Sequence, residues 1–387
     1  MVDDAFLRLS RLPLSLRGSL AAIACATAAL LSGCAQDDKP AFRALVVFGD
    51  SLSDVGTYTP VTSVTGDAKP PFIGGKFTTN GAEGLVWPEM LASQMGLTIT
   101  PHEVGYGPQS TKCPSNNATC TGYAQGGSRV TNPDGIGKQG GALTVPVKTQ
   151  IANHLSRFGG FRSTDLVVVY AGNNDIFVQF NTFAARATQI QTDAAAGRLT
   201  RSQADQQSAE ALAVATVAVQ QAANELVGYV KSEVLAKGAD FVVVANLPDS
   251  AKTPTGAAAP ETVRPILSGL VKAFNDTLST GLAATAARIW DSKALGDDVA
   301  ANPSRYGFTN TTDVACDPAR ISAITRGAIT DGTSLFCNAT PGLPYFGLKN
   351  GANPATWQFA DGVHPTTGGH KVIAQKLGEY LVSLGWL

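Results

Sequence analysis

Charge is scarce in this 387-residue chain, where Asp, Glu, Lys and Arg make up only 15% of the residues against about a quarter in ordinary soluble proteins. The two signs nearly cancel, with 29 Lys and Arg against 30 Asp and Glu. That leaves no basic footprint for nucleic acid and no acidic tail. None of the six cysteines forms a C-x-x-C pair, which argues against a zinc site. Histidine is limited to His102, His154, His364 and His370, so any imidazole base comes from a short list. There are no internal repeats, no low-complexity tracts and no interdomain linker. What is abundant is Gly, 40 residues, and Pro, 21 residues, which implies many ordered turns in a chain long enough for an ample core.

The first forty residues read as targeting rather than fold. Arg8, Arg11 and Arg17 precede an apolar stretch, Leu20 to Leu31, that is too short to span a bilayer. The small residues of Leu31-Ser32-Gly33-Cys34 follow, as at the cut site of a secretory signal peptide. This ending resembles a bacterial lipobox, which implies cleavage after residue 33 and a lipid on Cys34; Ala35 after the cysteine implies the outer membrane. Asp3 and Asp4 are unusual in such a leader. Loss of residues 1–33 removes three Arg and two Asp, leaving 26 basic and 28 acidic residues and a net charge of −2. Residues 34–42 read as a tether. The cysteines that remain, Cys113, Cys120, Cys316 and Cys337, allow three disulfide connectivities in an exported chain. Nearest-neighbour pairing closes two short loops and is the expected one.

Three β-branched apolar runs recur: Ala44–Phe48, Asp165–Tyr170 and Asp240–Asn246. Continuous rather than alternating apolar runs mark strands buried on both faces, as in a parallel sheet between helices. Helical patterns lie between them, from Trp87 to Gly96, from Val147 to Arg157, and from Thr182 to Lys237 with a break at Gly197. The last of these restarts near Thr200 with Gln203 three residues on, a capping-box pattern. A final helix is expected from about Gly369 to Leu384. The stretches 103–145 and 297–360, rich in Gly, Pro, Asn and Thr, read as ordered loops, each with one cysteine pair. The alternation predicts one three-layer α/β/α sandwich with a central parallel sheet, flavodoxin-like in arrangement.

Chemistry concentrates at four places. Gly49-Asp50-Ser51-Leu52 follows the first strand and sets Ser51 in a turn at its end. Serine is a weak nucleophile until a base takes its proton. His364 stands three residues after Asp361 in Asp361-Gly362-Val363-His364-Pro365, where the carboxylate can bend back onto the ring and fix its tautomer. Alone, that pair reads as a turn aspartate and a surface histidine. His102 and His154 read as structural or surface residues, and His370 as a packing or capping residue. Acyl transfer also needs donors for the developing oxyanion. Ser51 N–H sits at a helix start where such groups are free, and a glycine of Gly126-Gly127 lets the backbone approach closely.

Four blocks in order resemble the GDSL, or SGNH, hydrolases: Gly49-Asp50-Ser51-Leu52-Ser53-Asp54, Tyr123-Ala124-Gln125-Gly126-Gly127, Gly172-Asn173-Asn174-Asp175 and Asp361-Gly362-Val363-His364-Pro365. Gly75-Lys76-Phe77, Trp87-Pro88-Glu89, Asn302-Pro303 and Tyr306-Gly307-Phe308-Thr309-Asn310 are similar to the family's bacterial lipase and esterase branch, so the resemblance covers about residues 43–385. It implies a hydrolase domain over 43–387. Its catalytic residues are Ser51, His364 and Asp361, and its oxyanion donors are Ser51, Gly127 and Asn174, with Gly126 a rival for Gly127. Asp50, Asp54 and Asp175 read as capping, turn and supporting residues. The chain departs from the pattern at Gly122, often Asn in the second block, and at Gly56-Thr57, often Gly-Asn. An α/β-hydrolase would place its serine in G-x-S-x-G, and here position 53 is serine. Gly135-Ile136-Gly137-Lys138-Gln139-Gly140 satisfies G-x-G-x-x-G, but turn residues precede it where a dinucleotide site needs a strand.

The expected reaction is hydrolysis of acyl or lipid esters through an acyl-enzyme, without cofactor or metal, by a monomer held to the membrane through Cys34. Passage of the acyl group to an alcohol is a subsidiary activity. The alternatives are a carbohydrate O-acetyl esterase and a non-catalytic envelope lipoprotein that binds rather than reacts.

Overall fold

Four strands build the centre of the computed structural model, which describes residues 40–387. The leader expected at 1–33 and the lipid acceptor Cys34 lie outside the described residues. Strands β1 (Ala44–Gly49), β2 (Asp165–Tyr170), β3 (Phe241–Ala245) and β4 (Arg288–Trp290) form one sheet in that order. Each neighbouring pair is parallel, with Val46 opposite Val167 and Val167 opposite Val242. Every residue of β1 and β2 is buried, as continuous apolar runs require.

On the other side of β1 the chain at Thr121–Gln125 adds a short fifth track. Val47 N–H donates to Thr121 C=O at 3.0 Å, Tyr123 N–H donates to Val47 C=O at 2.8 Å, and the bridge is parallel. This segment follows β1 in sequence but lies on the opposite side from β2, so the winding of the sheet reverses at β1. Ligands in open α/β sheets bind outside the carboxyl ends of the strands at such a switch point, and Ser51 stands there.

Helices α1 (Trp87–Gln94), α2 (Val147–Phe158), α3 (Asn173–Ala195), α4 (Arg201–Tyr229), α5 (Arg264–Leu282), α6 (Ser292–Ala301) and α7 (Thr367–Ser383) complete the layers. α3, α4 and α5 pack on one another, and α7 packs on α1. All contribute buried side chains to one main core around Val46, Val168, Leu226, Val243, Phe274 and Leu377, except α6, which packs against it only through the half-buried Leu295. Thr200 caps α4 as expected, its hydroxyl accepting from Gln203 N–H while Gln203 returns a bond to the Thr200 amide. Among the described residues no helix is long and apolar enough to cross a membrane.

Some elements depart from the sequence expectation. α3 starts at Asn173 rather than Thr182, because the Asn-Asn-Asp turn signal is the first turn of the helix. β4 has only three residues, too few to show as an apolar run. α5 and α6 were not expected. The loop stretch 103–145 holds a hairpin, Glu103–Tyr106 with Gln109–Lys112, and 297–360 holds a parallel pairing of Asn310–Val314 with Trp357–Phe359. The cysteines pair as nearest neighbours, Cys113–Cys120 and Cys316–Cys337.

Candidate active site

The site begins at the end of β1. A Cβ on Gly49 would meet Tyr170 C=O of the adjacent strand at 2.2 Å, so only glycine lets the strands run this close at the turn. The side-chain amide of Gln150, on α2, closes a ring on the same residue. Its Oε1 accepts from Gly49 N–H at 2.9 Å and its Nε2 donates to Gly49 C=O at 2.8 Å. Sequence reasoning missed Gln150, since nothing in α2 marks one glutamine as pointing at a turn 101 residues away. The chain then enters a single 3-10 turn, Ser51–Ser53, with the Asp50 carboxylate capping Leu52 N–H at 3.1 Å.

His364 Nε2 lies 2.8 Å from Ser51 Oγ. The other ring nitrogen, Nδ1, faces both carboxylate oxygens of Asp361 at 2.9 and 2.8 Å. Asp361 is buried and fully engaged. Its Oδ1 accepts from the Val363 and His364 amides, and its Oδ2 accepts from Ser334 N–H at 2.7 Å. Burial alone would raise its pKa, but the facing imidazole and these donors hold it well below the usual carboxylate range. Ala360 N–H donates to His364 C=O at 2.8 Å and closes the loop that carries the pair. The Phe77 ring lies 4.8 Å from the imidazole.

Ser51, Gly127 and Asn174, expected as the oxyanion donors, are each held differently. Ser51 opens its turn, where an amide has no partner within the turn itself. Gly127 sits at φ +79°, and a Cβ there would meet Ile136 C=O at 2.0 Å, so the close approach needs glycine. Its rival Gly126 is committed elsewhere, donating its N–H to Asp54 Oδ2 at 2.9 Å. Asn174, in the first turn of α3, gives one amide hydrogen to Ser128 C=O at 2.9 Å. That bond fixes the side chain and leaves its second hydrogen for a ligand. Ser51, Gly127, Asn174 and His364 all line one cavity.

The remaining acids support this arrangement. Asp50 also accepts from the Asn173 amide at 3.2 Å, and Asp54 accepts from the Gly56 and Thr57 amides. Burial pushes both carboxyls up to about 6, against those donors. Asp175 accepts from Arg129 Nε and Val130 N–H, both at 2.9 Å. The other histidines face away from the serine. His370 is buried, bonded to Phe77 C=O and Trp87 N–H, and His154 stacks on Phe161 at 4.3 Å. His102 packs against Tyr123 at 4.6 Å. The Gly135–Gly140 segment is a loop ending in a 3-10 turn. No group of three or more His, Cys, Asp or Glu able to hold a metal occurs among the described residues.

The cavity has a volume of about 1130 Å³. Tyr58, Phe77, Phe177, Trp290, Val299 and Leu335 are among the apolar and aromatic side chains that line it.

The family model described as GDSL-like Lipase/Acylhydrolase matches residues 45–377. A phosphatidylcholine-sterol acyltransferase of Aeromonas hydrophila is 23% identical over an alignment of 380 residues that covers 90% of this chain and 93% of the relative. The crystal structure of an extracellular lipase from Streptomyces rimosus aligns with 87% of this chain and 98% of its own, at 15% identity and a TM-score of 0.36.

Proposed function

Because this chain belongs to the GDSL-like lipase/acylhydrolase family, we propose that it cleaves carboxylic esters by forming an acyl-enzyme on Ser51. The observation that supports this best is the hydrogen-bonded line from Ser51 Oγ through His364 to Asp361. In this reading His364 Nε2 takes the Ser51 proton as the hydroxyl attacks the ester carbonyl. Asp361 keeps the Nδ1 proton in place and stabilises the imidazolium that forms. The carbonyl oxygen becomes an oxyanion between the amides of Ser51 and Gly127 and the side chain of Asn174, donors already aimed before charge develops. His364 returns its proton to the leaving alcohol, and water repeats the sequence to release the acid. Every proton has a carrier among these residues, so the reaction needs no cofactor or metal.

The cavity supports acyl or lipid esters over a sugar acetate. A site for an acetyl group on a sugar calls for a small recess rimmed by polar groups, whereas this cavity is large and carries aromatic and branched walls. A binding module would have no use for a hydrogen-bonded nucleophile, base and acid. An acyl-enzyme can also pass its acyl group to an alcohol, the reaction class for which the Aeromonas hydrophila relative is named. We further propose that residues 43–387 are the hydrolase domain of an exported monomeric lipoprotein. In this proposal the leader 1–33 is removed and Cys34 carries the lipid that holds the enzyme at the outer membrane.

The test is turnover of p-nitrophenyl esters from acetate to palmitate by the wild type and by Ser51→Ala. Activity lost in the variant and rising with chain length beyond acetate is the expected outcome. Activity confined to acetate would favour the acetyl esterase. Ester turnover that persists in Ser51→Ala would refute the acyl-enzyme.

A further inference from the structure

The loop that carries Asp361 is approached from both sides by one disulfide. On one side Cys316 N–H donates to Ala360 C=O at 2.9 Å, on the residue immediately before Asp361. On the other side Cys337 ends the 3-10 turn Ser334–Phe336, its N–H donating to Ser334 C=O at 3.0 Å. Ser334, at the start of that turn, gives its own N–H to Asp361 Oδ2 at 2.7 Å. Asn80 brackets the turn, its side chain donating to Ser334 C=O at 3.0 Å and its amide to Cys337 C=O at 2.8 Å.

This region does not share the main core. Cys316 and Cys337 are fully buried in a separate small cluster with Ala315, Ile321, Leu348 and Ala360. A cluster of that size buries little apolar surface, and hydrophobic stabilisation scales with the area removed from water. A covalent tie between its two arms therefore supplies rigidity that burial alone does not.

We propose that the Cys316–Cys337 bridge, acting through the Ser334 amide, is the positioning device for Asp361 in the serine-hydrolase reading on which this inference rests. Of the two carboxylate oxygens, Oδ1 is held by amides of its own loop, Val363 and His364. Among the described residues, Oδ2 takes its one backbone donor from across the disulfide-bonded segment. Without Ser334 N–H in place the carboxylate can turn about its last bond, and the imidazolium of His364 loses part of its counter-charge. At Cys113–Cys120 the Cys113 N–H bonds His102 C=O, and among the described residues no hydrogen bond links that bridge to the acid.

The experiment compares five full-length proteins: wild type, S51A, C316A/C337A, S334P and C113A/C120A. Double substitution is preferred to a reductant because the bridge is buried. Proline at 334 removes the N–H while leaving the bridge intact, and it is tolerated at the first position of a turn. Thr333 before it already has ψ 135°, the extended conformation that a residue before proline requires. Each protein is assayed for kcat, KM and the pH profile of kcat/KM on p-nitrophenyl butyrate, with near-UV circular dichroism to confirm the fold. Complete loss of the acid's function in a serine protease triad costs about 10⁴ in kcat. Partial misalignment is therefore expected to lower kcat by roughly 10- to 100-fold in C316A/C337A and S334P, with KM little changed. The acid-side midpoint of kcat/KM should move to lower pH, a change that weakened folding alone would not produce. C113A/C120A should keep the wild-type kcat and profile.

A folded C316A/C337A protein with wild-type kcat and acid limb overturns the inference. If that variant does not fold, S334P decides, and wild-type kinetics there overturn it equally. A wild type without Ser51-dependent ester turnover defeats the hydrolase reading and this inference with it. Normal kinetics in the variants of an active enzyme defeat the positioning role alone.

Discussion

His364 Nε2 meets Ser51 Oγ at 2.8 Å although 313 positions of sequence separate the two residues. The contact joins the end of β1, the first strand, to the loop just ahead of α7, the last helix. It therefore closes only when the whole sheet and its flanking helices have assembled. Nearly every element between them is scaffold for that distance: Gln150 fixes the turn from one side, and Ser334 fixes the acid from the other.

Removal of the serine hydroxyl tests the centre of this arrangement. Ser51→Ala is expected to lower kcat for ester hydrolysis on the order of 10⁶-fold, leaving the residual rate that binding and oxyanion donors support. Its fold should be unchanged, since Ser51 Oγ bonds only His364 among the described side chains. A p-nitrophenyl ester assay beside a circular dichroism spectrum settles it.

Asn174→Ala should lower kcat by about 10²- to 10³-fold with KM nearly constant, the usual cost of one lost oxyanion donor. The substitution also frees Ser128 C=O from its bond to the amide, so a modest loss of thermal stability should accompany it. A rise in KM with kcat unchanged would assign Asn174 to ground-state binding instead.

At Gly127 the expected outcome is loss of both activity and stability. A methyl group at φ +79° is strained, and it would stand 2.0 Å from Ile136 C=O, so the turn must shift. Gly127→Ala should therefore unfold at a lower temperature than Asn174→Ala and hydrolyse ester more slowly than wild type. Thermal melts and initial rates of the two variants read this directly.

Acid stability follows from the buried rings. Burial holds His154 down to about 4 and His370 to about 3, against about 6.5 in an unfolded chain. The unfolded chain takes up protons first as pH falls. Stability from the neutral rings is thus complete above about pH 6.5 and lost toward pH 4. Asp50 and Asp54, pushed up to about 6 by burial, act with opposite sign, their contribution declining as pH rises through that value. His154→Phe isolates the first effect while keeping a ring against Phe161. Between pH 7 and 4.5 the variant should lose less stability than wild type, by on the order of 1 kcal/mol per pH unit. Parallel melting curves across that range would contradict it.

The Cys113–Cys120 loop is expected to matter for stability alone. It closes a separation of 7 residues, and loops of that length are stabilised by roughly 2–3 kcal/mol on crosslinking in the chain-entropy account. Arg157 also ties this loop down through the carbonyls of Pro114 and Asn117. C113A/C120A should melt earlier than wild type with kcat intact, as measured by thermal unfolding and ester turnover.

The sequence by itself determined whatever depends on a residue and its near neighbours. β1 and β2 were legible because a strand buried on both faces carries a continuous apolar run, as at Val46 and Val167, which pair and are both fully buried. Asp361 and His364 were legible as an acid–base pair only beside the other three blocks, because alone their spacing reads as a turn aspartate and a surface histidine. The nearest-neighbour disulfides were legible because each closes a short loop, across separations of 7 and 21 positions. Tertiary structure alone showed that Asp54 captures the Gly126 amide. It alone revealed Gln150 and the Ser334 N–H, whose partners lie 101 and 27 positions away. It also placed the start of α3 at Asn173, where helix and turn signals coincide. Local pattern reports what each segment must bury. Which backbone donors remain free for substrate depends on hydrogen bonds between segments, and those form only when packing brings the segments within 3 Å of one another.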